Sequence, residues 1–177
     1  TEKALATIQK EKIGVLEISD FGTSGLSGSD DNIDSSWYGL TRSGGICNKT
    51  SEEAGGGFGI GKNAPFAASL VRTIFYSTKN TNDEYIFQGV SKLMTHKNNH
   101  NELTQGTGYI GKNIDNKISS VRDFARIPAL FKRQEIGTTI YVIGFDAYEK
   151  WQEELFREIL YNFFASIHFG KIDFDVC

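Results

Sequence analysis

The chain has 177 residues, 39% of them hydrophobic, with thirteen Phe and seven Tyr, enough for one domain with a core of its own. Its net charge of −3 gives no general pull toward nucleic acid or an anionic membrane. No apolar run nears the roughly 20 residues of a membrane span, and "TEKALATIQKEK" is no secretory leader, so the expected setting is cytoplasmic, with Cys47 and Cys177 as free thiols.

Residues 1–11 read as the tail of a helix, with Ala4, Leu5 and Ile8 on one face. "KIGVLEIS" (12–19) reads as a buried strand ending at Asp20. A small, polar, glycine-rich run follows, and no period persists from Ser27 to Gly57, where Trp37, Tyr38 and Leu40 are expected to dock a long loop locally. The spacing predicts a helix over 60–71, with Pro65 in its first turn, then strands over 72–78 and 85–95 as a hairpin. "GTGYIGK" suggests a short strand, and 119–137 is mixed with a break at Pro128. The clearest strand is 138–145. The clearest helix is 146–168, capped by Asp146, with Trp151, Leu155, Ile159 and Phe163 on one face. "KIDFDV" reads as a closing strand. Strands and helices mix without βαβ alternation, which predicts an α+β fold: a two-layer sandwich over a mixed, mostly antiparallel sheet, in a single domain spanning 1–177.

Two glycine motifs carry the functional reading. "GGGFGIGKNAP" is one residue from a P-loop, with Asn63 where Ser or Thr should stand, but no strand precedes it. Its physics survives without that topology. Gly57, Gly59 and Gly61 let the backbone approach an anion, the following helix start directs N–H groups at it, and Lys62 adds a positive charge. "LEISDFGTSG" puts a carboxylate at a strand end, able to accept from an exocyclic amine, with Gly22 and Gly25 close behind.

Together with "GTTIYVIGF", these stretches resemble the GHKL ATPases, which include DNA gyrase, the ninety-kilodalton heat-shock chaperones, histidine kinases, MutL and MORC-type proteins. Order and spacing agree over nearly all of the chain. The resemblance implies a Bergerat-type fold binding ATP with Mg2+. Asp20 would read the adenine amino group with Gly22 beside the ring. Gly57, Gly59, Gly61 and Lys62 would hold the phosphates, and Thr138 would support the Asp20 end. Residues 26–56 would form a lid. Gly25 comes five residues after Asp20 where the family has four, so either Ser24 or Gly25 fills the second-glycine role.

The family's first box, a helix with a general-base Glu and a magnesium-ligating Asn, has no counterpart before Asp20. The expectation is that it lies upstream of Thr1, so that this stretch binds nucleotide, while hydrolysis belongs to the intact protein. "EILYN" has the right Glu-x-x-x-Asn spacing, making Glu158 and Asn162 decoy candidates for base and metal ligand, but it follows the Gly-Thr strand. "GTGYIGK" fits a dinucleotide motif without the helix that motif requires. Binding would drive lid closure and a domain or dimer rearrangement, with the missing helix, downstream domains or a second copy as partners. The competing readings are a non-hydrolysing nucleotide-binding or interaction module and a histidine-kinase catalytic domain. Arg122, Arg126, Lys132 and Arg133 offer a surface for a partner or DNA.

Overall fold

The computed structural model describes residues 2–43 and 61–177. These form two compact units, Thr1–Phe145 and Asp146–Cys177. The first holds α1 (Glu2–Ile8), β1 (Val15–Ser19), α2 (Ser36–Thr41), α3 (Ala64–Ala68), β2 (Ser69–Lys79), β3 (Tyr85–Lys92), β4 (Thr107–Ile110), β5 (Lys112–Ile114), β6 (Lys117–Ser119) and β7 (Gly137–Phe145). Five strands make one sheet in the order β1-β7-β2-β3-β4, while β5 and β6 form a separate ribbon. Among the described residues every pairing is antiparallel, where a mixed, mostly antiparallel sheet was expected.

Strand alternation divides the sheet residues between two faces. Ile74, Tyr76, Ile86, Val90 and Val142 share one face and form the core with Trp37 of α2 and Phe66 of α3. The opposite face carries Phe75, Phe87 and Tyr141, and Phe131 stacks on Phe75 (4.8 Å between ring centroids) and Phe87 (5.2 Å) and meets Tyr141 edge-on (4.9 Å). Aromatic burial therefore covers both faces, through a short 3₁₀ turn at Ala129–Phe131 just after Pro128.

Several boundaries move. Trp37 is fully buried in the core and sits on a helix capped by the Ser35 side chain, so it does more than dock a loop. The helix expected over 60–71 shrinks to a 3₁₀ turn (Gly61–Asn63) and five α-helical residues, because the chain turns into β2 at Ser69. That early entry needs a bulge: Arg72 adopts φ 53°, and the buried Ser69 hydroxyl bridges the gap by donating to Ile143 O (2.5 Å) and accepting from Thr73 N–H (2.9 Å). In α1 the buried residue is Thr7, while Leu5 and Ile8 are exposed.

The second unit holds α4 (Trp151–His168). It starts five residues after the expected cap at Asp146, and its flanking residue Lys150 makes no side-chain cap; instead Trp151 N–H donates to Tyr148 O (3.2 Å). The helix ends where Gly170 takes φ 63° and donates to Ile167 O (3.0 Å). Residues 171–177 form no strand, because no neighbouring strand pairs with them, although Phe174 packs on Phe163 at 5.3 Å. Among the described residues no helix is long and apolar enough to cross a membrane.

Candidate functional site

Antiparallel pairing of β1 with β7 brings the two distant motifs together, since Ser19 lies opposite Thr139. Just past that register Asp20 N–H donates to Thr138 O (2.9 Å), and Thr138 N–H returns a bond to Asp20 Oδ1 (2.6 Å). The Thr23 hydroxyl also donates to Oδ1 (3.0 Å). Oδ1 is thus held by two donors, while among the described residues no donor reaches Oδ2. Asp20 itself is exposed.

Thr78 completes the corner and was missed in the sequence, where it is an unremarkable strand residue. Its hydroxyl donates to Gly137 O (2.8 Å), accepts from Leu26 N–H (2.9 Å) and lies 3.2 Å from the Thr138 hydroxyl. Because Thr78 spends its single proton on Gly137, Thr138 must donate to Thr78. The Thr138 oxygen is then left with acceptor character, like Asp20 Oδ2. The corner is suited to a hydrogen-bond donor.

The glycines separate by environment. Gly22 has φ +69°, and a Cβ there would meet open space. Gly25, at φ +66°, lies against the Lys79–Asn80 backbone with no room for a side chain. Close packing therefore accounts for Gly25, while nothing packs against a Cβ at Gly22. Gly137, at φ +136°, sits directly against Asp20 and the Arg133 guanidinium.

Arg133 is the other residue missed. It was read as part of a surface cluster, yet it is buried, donating through Nη1 to Thr139 Oγ1 (2.6 Å), through Nε to Glu135 O (2.9 Å), and through Nη2 to Asp20 O and Ile136 O (3.3 Å). Its guanidinium lies 4.8 Å from the Phe21 ring centroid. One side chain thus ties the "DFG" turn to the "GTT" strand. The rest of that cluster is engaged as well: Arg122 donates to Gly28 O (2.5 Å), Arg126 pairs with Asp123, and Lys132 lies over Phe124. A concavity of about 360 Å³ lies beside Arg133, lined by Glu17, Ser19, Thr139 and Tyr141 among others. Those four occupy the sheet face opposite Leu16, Ile18 and Ile140.

Gly57 and Gly59 lie outside the described residues, as does the part of the expected lid beyond Ser43. Gly61 opens the 3₁₀ turn, and Lys62 Nζ donates to Gly39 O (3.1 Å) and Ser43 O. The five-residue α3 is too short to supply the helix dipole expected there.

Residues 26–43, the described part of the expected lid, are held in place. Buried Asp30 accepts from Trp37 Nε1 (2.9 Å) and Ser120 N–H (2.7 Å) and lies 3.6 Å from Arg42, which donates to Ile118 O (3.0 Å) and stacks on Tyr109. Lys117 pairs with Asp31. Burial pushes the Asp30 carboxyl up, but the Ser120 N–H, the Trp37 indole and the Arg42 charge outweigh it and hold it below its ordinary value.

Glu158 and Asn162 belong to the second unit, where Asn162 Nδ2 donates to Glu158 O (2.8 Å) and Oε2 (3.3 Å). Among the described residues no group of three His, Cys, Asp or Glu could hold a metal ion. No protein-family model, curated protein or solved structure matches this chain.

Proposed function

We propose that the chain is an adenine-nucleotide-binding domain of GHKL type, with a Bergerat-like sandwich in which the base meets Asp20 and the phosphates lie toward Lys62. The carrying observation is the corner itself: Oδ1 of Asp20 is fixed by Thr138 N–H and Thr23, leaving Oδ2 and the Thr138 hydroxyl oxygen with acceptor capacity. Acceptors at this corner suit the exocyclic amine of adenine, directly and through water. The antiparallel sheet with Trp37 of α2 and Phe66 of α3 packed on one face supports the same reading. The proposed activity is nucleotide binding; hydrolysis would need a general base and a metal ligand in addition to this corner.

Calorimetry with adenosine and purine riboside, which lacks the 6-amino group, tests this. Adenosine should bind more tightly, and Asp20→Asn should erase most of that preference, by roughly tenfold or more if a charge-assisted bond is lost. Equal affinity for the two ligands in the unmodified chain would sink the base assignment.

A further inference from the structure

We infer that an ordered water molecule is built into the fold between Gln88, Ser120 and Arg42, tying residues 26–43 to the sheet. The inference does not rest on the nucleotide reading. Gln88 lies on β3 and alternates with Ile86 and Val90, so its side chain enters the core face, where it is fully buried. Phe87 and Val121 form an antiparallel bridge and exchange both backbone bonds (2.9 and 2.8 Å). That register sets Gln88 opposite Ser120 on one face, in the kind of pair whose side chains stand closest. Asp30 Oδ2 accepts from Ser120 N–H (2.7 Å) and lies 3.6 Å from Arg42 Nη2. The same Nη2 lies 3.5 Å from Gln88 Oε1. The three residues therefore meet around one carboxylate oxygen and one guanidinium nitrogen.

Each of them carries a buried atom with no partner in the protein: Gln88 Nε2, Ser120 Oγ and Arg42 Nε. Arg42 can only donate, so Gln88 turns Oε1 toward it and Nε2 away. Buried polar groups are nearly always satisfied, because an unmet one carries its full desolvation penalty. Three unmet atoms on adjoining side chains point to one shared partner. Two of the three can only donate, so that partner must accept twice. Asp30 already balances the Arg42 charge, which disfavours an anion. A water fits. Its lone pairs take Gln88 Nε2–H and Arg42 Nε–H, and it donates to Ser120 Oγ, the three bonds usual for a buried water. It joins the end of α2, the middle of β3 and the residue after β6.

A high-resolution crystal structure of the chain, with a stability measurement on Ser120→Ala, tests the site. One water oxygen should lie about 2.7–3.2 Å from Gln88 Nε2, Arg42 Nε and Ser120 Oγ. The variant gives the sign. Removing a buried hydroxyl that bonds nothing relieves a desolvation penalty and favours folding. Removing one that bonds the water should instead shift the folding equilibrium toward the unfolded chain, roughly threefold or more. In NMR, the Gln88 amide protons should show an NOE to water with the sign of a long-lived molecule. Four results overturn the inference: no water at this place, a direct Gln88–Ser120 bond in its stead, an anion such as chloride between the donors, or a Ser120→Ala chain as stable as the parent or more so.

Discussion

Asp20 and Thr138 hold each other by reciprocal bonds: Asp20 N–H reaches Thr138 O at 2.9 Å, and Thr138 N–H reaches Asp20 Oδ1 at 2.6 Å. The pair is 118 residues apart in sequence. The backbone of one motif therefore sets the rotamer of the acid in the other. A carboxylate fixed before ligand arrives loses little entropy on binding, which is the condition for reading one amine.

Gly137 should be the least replaceable glycine at this corner. At φ +136° an L side chain is strained, and its Cβ would press on Asp20 and Arg133. Gly137→Ala is expected to cost about 2 kcal/mol or more in urea unfolding and to weaken adenosine binding. Gly22→Ala, strained in φ but facing open space, should cost about 1 kcal/mol. Its larger effect should be on ligand affinity, since the methyl group enters the space proposed for the base. A Gly22→Ala protein that binds adenosine normally would move the base elsewhere.

Asp30 should make stability depend on acid. Its folded pKa is lowered, so its contribution is complete above the ordinary carboxylate pKa and is lost as pH falls through the folded value. Asp30→Asn leaves Arg42 short of its counter-charge and sets an amide against the Ser120 N–H donor, at an expected cost of about 3 kcal/mol near neutral pH. Denaturation followed against pH should show the difference between parent and variant shrinking toward acid. A difference constant down to strongly acidic pH would remove Asp30 as the titrating group.

What the sequence revealed and hid follows from the range of the interactions. The strands around 69–92 and 137–145 are legible because the buried sheet repeats β-branched and aromatic residues locally. Asp20 and Thr138 are legible as motifs, and the register of β1 on β7 brings them together. Thr78 and Arg133 are not legible, since their roles consist of bonds to backbone carbonyls made near only in space. The helix expected over 60–71 is longer than the one found because the spacing of Ala64, Ala67 and Ala68 runs on to Val71, where the bulge at Ser69–Thr73 lets pairing with β7 override helix propensity. Trp37 is undervalued because a six-residue helix shows no periodicity, yet its indole bonds Asp30 and fills the core. Trp37→Ala should accordingly cost about 3–5 kcal/mol in chemical denaturation, well beyond the loss expected for a locally docked loop residue.

Arg133→Lys separates positioning from packing. The guanidinium fork serves Thr139 Oγ1 and the carbonyls of Asp20, Glu135 and Ile136 at once, and a single ammonium cannot reproduce that geometry. The charge is kept, so the expected loss of stability is modest, about 1–2 kcal/mol. Freed from Arg133, the Asp20 carbonyl and the turn behind it gain freedom, and the carboxylate presents itself less uniformly to ligand. The preference for adenosine over purine riboside should therefore fall, while affinity for inorganic triphosphate stays as it was. Phosphate affinity falling in parallel would mean that Arg133 supports the whole domain and not the base corner. An unchanged adenosine preference would mean that Thr138 alone suffices to hold Asp20.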